Sequence, residues 1–244
     1  MTDHPHFVLA HGFTQTSRSW DEIEPMLRAA VPGATTAAVD LPGHGTAGAV
    51  RGDLWACADH LVAHGGRGVY VGYSLGGRVA LHAALAHPAA VERLVLIGAT
   101  AGIADPSARE ERRRADERLA ARLERIGVAA FVDEWLHQPL FAGLDEVSAR
   151  REDRLRNSAA GLASSLRGAG TGTQEPVWDR LGEIDVPALV LAGQYDQKFR
   201  ALGEQLAARL PRATYRVVPG AGHSAHLEQP EATVEDILAW LGRR

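Results

Sequence analysis

The residues best suited to covalent or proton-transfer chemistry are Ser74, Asp196 and His223. Ser74 lies in Gly72-Tyr73-Ser74-Leu75-Gly76, a G-x-S-x-G pentapeptide with an apolar strand-like run before it and a helix-like run after it. A tight strand-to-helix turn lifts such a hydroxyl clear of the sheet. The flanking glycines spare it side chains that would collide with neighbouring backbone. A hydroxyl is a poor nucleophile or base until a neighbour takes its proton. His223, in Gly220-Ala221-Gly222-His223, can take that proton, and Asp196, in Gly193-Gln194-Tyr195-Asp196, can orient the imidazole and stabilise its cation. His226 is a rival for the histidine, and Asp185 a rival for the acid that stands before its strand rather than after it. The order Ser, Asp, His along the chain is the one associated with this kind of elbow. The backbone N–H groups of Phe13, after His11-Gly12, and of Leu75, after the serine, are candidates for an oxyanion hole. His11 and His44 read as structural.

These groups need elements that bring them together. The short apolar run Phe7–Ala10 reads as a buried parallel strand, and Ala37–Val39, Gly68–Val71, Leu94–Ile97, Val186–Ala192 and Tyr215–Val218 read as further strands. Between and after them, Ser19–Ala30, Leu54–His64, Gly76–Ala86, Ala201–Arg209 and Ala232–Leu241 carry helical spacing. The alternation predicts an α/β fold: a mostly parallel sheet flanked by helices on both faces. In such a sheet, Ser74, Asp196 and His223 all fall beyond the carboxyl ends of strands, where ligands bind. No strand-like run appears between about Ala101 and Glu175. That stretch, 101–175, is expected to be a helical lid inserted into a single core made of 1–100 and 176–244.

The 244 residues carry a net charge of −4 spread along the chain, which argues against nucleic acid or an anionic membrane as the main partner. Lys198 is the only lysine and Cys57 the only cysteine, so no disulfide can form within the chain. No apolar run reaches membrane-spanning length, stable membrane insertion is not expected, and a soluble cytoplasmic protein is the default. No ligand set for a metal stands out.

Gly72-Tyr73-Ser74-Leu75-Gly76-Gly77-Arg78, Trp135 with Gln138-Pro139, Asp196-Gln197-Lys198-Phe199-Arg200-Ala201-Leu202 and Gly222-His223-Ser224-Ala225-His226 together carry a family likeness. Across nearly the whole chain the sequence resembles the α/β-hydrolase superfamily. More narrowly it is similar to the 2-succinyl-6-hydroxy-2,4-cyclohexadiene-1-carboxylate synthases of menaquinone biosynthesis. The resemblance implies a carbon–oxygen lyase that eliminates pyruvate from a 5-enolpyruvyl precursor. It implies no cofactor, a serine that abstracts a proton with the help of histidine and aspartate, and no acyl-enzyme. It also implies that Arg112 and Arg156 bind substrate, that Trp135 lines the pocket, and that Tyr73 borders it beside the nucleophile.

A small polycarboxylate substrate requires cations. Arg78, four residues after Ser74, is one helical turn along on the same face. The lid offers Arg109, Arg112, Arg113, Arg114, Arg118, Arg154 and Arg156, and the planar guanidinium fork suits carboxylates. Glu110, Glu111, Asp116 and Glu117 lie among them, so exposed ion pairs would account for the same residues. An esterase or carbon–carbon hydrolase with the same triad, and a non-catalytic receptor on this fold, are the alternatives. A plain esterase has no use for Arg78.

Overall fold

A computed structural model describes residues 4–242. Its strands are β1 (His6–Ala10), β2 (Thr35–Val39), β3 (Gly68–Tyr73), β4 (Val91–Ile97), β5 (Ala188–Gly193) and β6 (Ala213–Val218). They form one sheet in the order β2-β1-β3-β4-β5-β6, and every neighbouring pair is parallel. Both faces are covered, and the inner strands β3 and β5, buried at every position, read as unbroken apolar runs. Val8, Ala10 and Tyr70 pack on one face with Leu54, Leu61 and Val79. Phe7, Leu9, Val69 and Val71 pack on the other with Trp20, Ile23 and Ile237.

The helices are α1 (Ile23–Ala30), α2 (Leu54–Gly65), α3 (Leu75–Ala86), α4 (Pro106–Leu136), α5 (Arg151–Arg154), α6 (Ala159–Ala169), α7 (Gln197–Arg209), α8 (Ala225–Glu228) and α9 (Pro230–Trp240). The expected helix from Ser19 is two pieces, a short 3₁₀ turn at Ser17–Trp20 followed by α1. Pro25 explains the break: lacking an N–H, it is tolerated only in a helix's first turn, so α1 begins just before it.

From β1 the chain moves to one edge for β2 and then back past β1 for β3, so direction reverses between β1 and β3. Ligand sites form outside the strand ends at such a reversal. Among the described residues no strand lies between β4 and β5. α4 and α6 fill that interval and share a separate apolar cluster built on Ala120, Leu123, Phe131, Leu162 and Leu166. α4 is two helices joined at Gly127, whose φ of 79° and ψ of 168° are not helical. No helix among the described residues is long and apolar enough to cross a membrane.

Candidate active site

Ser74 sits between β3 and α3 with φ 50° and ψ −106°, a backbone conformation that L-residues rarely adopt. The glycines around it make that turn possible. A Cβ on Gly76 would lie 2.0 Å from the Ala10 carbonyl oxygen, and one on Gly72 2.3 Å from the Gly76 oxygen. The turn therefore brings backbone against backbone where no side chain can fit, and Ser74 is left projecting from the strand end.

His223 follows β6 and Asp196 follows β5, and the two meet above the sheet. His223 Nδ1 donates to Asp196 Oδ2 at 2.6 Å, which leaves Nε2 as the acceptor for the Ser74 hydroxyl at 3.3 Å. Asp196 Oδ1 accepts from the Phe199 N–H and so caps α7. The carboxylate thus serves as helix cap and histidine partner at once. His223 and Asp196 are buried, and Phe199 packs its ring 4.3 Å from the imidazole.

The rivals lie elsewhere. Asp185 is exposed and precedes β5, at the opposite end of the sheet. His226 is wedged between Trp20 and Tyr73 at ring separations of 4.6 and 4.3 Å, with no hydrogen-bond partner for either nitrogen among the described residues. Burial, reinforced by Arg154 and His223, holds it well below the ordinary histidine pKa, so it stays neutral. His11 is committed to structure: Nδ1 donates to the Gly12 carbonyl and Nε2 accepts from the Leu41 N–H.

The loop after β1 is tied from several sides. Gln15 accepts from the Gly12 N–H at 3.0 Å. Asp153 accepts from the Thr16 N–H and hydroxyl, and Asn157 donates to the Thr14 carbonyl at 2.7 Å. Phe13 and Leu75, both lining the cavity beside Ser74, have backbone N–H groups with no acceptor among the described residues. Their placement suits them to receive a developing negative charge.

Ser74 and His223 open into a cavity of about 400 Å³ between the strand ends and the lid, a size suited to a small ligand. Tyr73, Arg78, Arg112 and Trp135 line it as well. Tyr73 is buried, and its hydroxyl shares a 2.8 Å hydrogen bond with Ser224. Trp135 stands edge-on to Phe13 at 5.1 Å. Arg78 is 7% exposed and donates to the Ala169 carbonyl at 2.8 Å. Burial, followed by repulsion from Arg112, lowers its pKa to about 10, which leaves it charged at neutral pH. Arg112 is half-exposed and donates to the buried Asp116 at 2.8 Å.

Arg156 is not in this cavity. It is exposed and lines an outer groove with Arg18 and Glu152. The guanidinium that reaches the cavity is Arg154, two residues earlier and 1% exposed. It donates to the Ala149 carbonyl and the Thr14 hydroxyl, while its Nη2 is buried with no hydrogen-bond partner among the described residues. Burial lowers its pKa to about 10. The physical reason for the correction is local: α5 is a single turn, and the chain after it bends so that Arg154 and Asn157 face inward and Arg156 outward. Of the other lid arginines, Arg113 and Arg114 pair with Glu110, Arg109 donates to the Ile103 carbonyl, and Arg118 is exposed.

The geometry therefore offers an activated hydroxyl, two free N–H donors, and three guanidinium groups around one cavity. Sequence comparison gives it a setting. The α/β-hydrolase family model matches residues 7–236. A Bacillus subtilis (strain 168) protein, provisionally named as 2-succinyl-6-hydroxy-2,4-cyclohexadiene-1-carboxylate synthase, is 38% identical over 91% of this chain and 85% of its own. The Serratia proteamaculans (strain 568) protein of that name is 34% identical over 98% of this chain and 94% of its own. The structure of MenH from S. aureus superposes with a TM-score of 0.88 at 30% identity, covering 99% of this chain and 95% of that one. The chain belongs to the α/β-hydrolase family, in the branch that holds these synthases.

Proposed function

We propose that this enzyme is the 2-succinyl-6-hydroxy-2,4-cyclohexadiene-1-carboxylate synthase of menaquinone biosynthesis, a carbon–oxygen lyase that eliminates pyruvate from the 5-enolpyruvyl precursor. The names of its relatives over nearly the full chain support the reaction. One observation of this chain's own carries the reading: Arg78 and Arg154, both buried and lining the cavity with Ser74, have no carboxylate hydrogen-bond partner among the described residues. Desolvation remains a cost that lowers both pKa values to about 10; Asp116 near Arg78 and Asp153 near Arg154 offset it only in part, because neither carboxylate bonds the guanidinium. An anionic ligand removes that cost, so the cavity selects a substrate rich in carboxylates. A small, multiply charged substrate of this kind fits a cytoplasmic enzyme.

In the proposed mechanism, Asp196 holds His223 with Nε2 toward Ser74. His223 takes the hydroxyl proton as the Ser74 oxygen takes a proton from a ring carbon of the substrate. The electrons of that C–H bond form a double bond to the neighbouring alkene carbon, the alkene pair shifts one position along the ring, and the carbon–oxygen bond to the enolpyruvyl group breaks. The departing oxygen leaves as enolpyruvate, which gains a proton to become pyruvate. The N–H groups of Phe13 and Leu75 face the negative charge as it develops. Arg78, Arg112 and Arg154 hold carboxylates in place, and no bond between Ser74 and substrate is required.

The test mixes the purified protein with the enolpyruvyl precursor and, separately, with a simple activated ester. Pyruvate release well above the spontaneous rate is expected, and Ser74→Ala should lose roughly 10³-fold or more of it. Fast ester turnover with no added pyruvate release would instead establish an esterase and overturn the reading.

A further inference from the structure

His223 lies on a short connection between β6 and α8, and a segment of that kind needs bracing if its imidazole is to stay within reach of Ser74. The brace is a carboxylate outside the triad. Glu228, the last residue of α8, accepts from the Gly222 N–H through Oε2 at 2.6 Å and from the Ser224 N–H through Oε1 at 2.9 Å. These are the peptide N–H groups immediately before and after His223. Both bonds are charge-assisted, and together they fix the backbone on either side of the imidazole. Ser224 is held a second time by the Tyr73 hydroxyl.

The other side of the same carboxylate meets the lid. A Cβ built on Gly143 would lie 2.1 Å from Glu228 Oε2, so the lid backbone at Gly143 rests directly on the group that braces His223. Gly143 stands just after the 3₁₀ turn Pro139–Phe141, whose Phe141 ring faces His223 at 6.3 Å. One lid segment therefore reaches the imidazole twice, through Phe141 and through the carboxylate.

We infer that Glu228 is a positioning residue that sets His223 through the two flanking N–H groups and makes that setting depend on the seating of the lid at Gly143. The inference rests on the proposed role of His223 as the proton acceptor from Ser74. Glu228 touches no substrate in this scheme. Its charge lies where an amide cannot replace it: in Glu228→Gln one of the two N–H groups faces an NH₂ group rather than an oxygen.

Two measurements test it. In the pyruvate-release assay, Glu228→Gln should lower kcat by about 10- to 100-fold while KM changes by less than about 3-fold. Glu228→Ala should do at least as much, and because Glu228→Gln keeps the volume, it decides the matter if the alanine variant fails to fold. Gly143→Ala should reproduce the loss of kcat in the wild-type background but add nothing to Glu228→Ala, where the methyl group has room. Equal losses from Gly143→Ala in both backgrounds would overturn the link to the lid. The second measurement needs no substrate. In protein labelled with ¹⁵N-histidine, the His223 Nδ1 proton, assigned by its absence in His223→Gln, should exchange with solvent faster in Glu228→Gln than in wild type. Unchanged exchange and unchanged kcat would overturn the inference. If no pyruvate is released by wild type, the proposed reaction fails, and the exchange measurement still decides the role of Glu228.

Discussion

At the scale of single residues, the guanidinium groups around the cavity differ in how much protein already satisfies them. Arg112 has Asp116 as a charged partner, whereas Arg154 has one buried nitrogen with no hydrogen-bond partner among the described residues. Substrate carboxylate is thus worth most at Arg154. Removing that guanidinium should lower kcat/KM for pyruvate elimination by about 2–4 kcal/mol in transition-state terms, roughly 30- to 1000-fold. Arg154→Gln and Arg156→Gln, measured side by side, make the comparison: Arg156 is exposed on the outer groove, so its variant should stay near wild type. If the two variants swap outcomes, the inward assignment of Arg154 is wrong. Arg78→Ala belongs with the first of these, and it should harm elimination far more than hydrolysis of a neutral ester, which offers it no carboxylate.

The element that decides which lid residues share the cavity is α4. It spans 31 residues, so as one straight helix it would run about 46 Å. Arg112 and Trp135 would then stand about 35 Å apart, yet both line the same cavity. The break at Gly127 folds the second half back toward the first. With φ 79° and ψ 168°, Gly127 occupies a region that is nearly exclusive to glycine. A Cβ there would meet nothing within 4 Å, so the whole effect of Gly127→Ala is conformational. It should cost about 1–3 kcal/mol of stability, or else straighten the helix and draw Trp135 out of the cavity. Thermal unfolding and kcat/KM together read it: a variant equal to wild type in both would mean that Gly127 does not set the bend. The bend was not legible in the sequence, where Gly127 is a single glycine between a charged helical run and the apolar run Val128–Val132, and one glycine does not by itself end a helix. Likeness to a family pointed to Arg156, and the sequence held no local signal that Arg154 rather than Arg156 lines the cavity. A one-turn helix such as α5 has no apolar period to fix which face turns inward. By contrast, the sheet and the meeting of Ser74, His223 and Asp196 were legible. Each follows a short apolar strand, and in a parallel sheet every such strand delivers its next residues to the same edge. Glu228 escaped notice because nothing local marks a carboxylate that bonds backbone a few residues upstream.

The whole molecule divides its apolar packing unequally. Two large clusters hold the sheet between its helices, while the lid has a small one of six buried residues. Around that cluster the lid depends on exposed ion pairs, with Arg167 bridging Glu117 and Glu124 from α6 to α4, and Arg122 meeting Glu134. Exposed pairs contribute little to stability and weaken with salt. The helices between β4 and β5 should therefore open at a lower free energy than the sheet and the helices packed on it, as segments with few buried contacts do. The chain's own composition supplies the probe. Trypsin cuts after arginine, and Arg113, Arg114 and Arg118 are exposed on α4, where cleavage waits for the helix to unwind locally. Brief digestion under native conditions, with fragments identified by mass, should give first cuts in α4, and faster ones at high salt. A polycarboxylate that reaches Arg78, Arg112 and Arg154 together ties the lid to the strand ends, so reaction product at saturating concentration should slow those cuts. First cuts in the core would mean that the lid is no weaker than the sheet it covers. Unaltered rates with product would mean that the three guanidinium groups do not act as one clasp between lid and core.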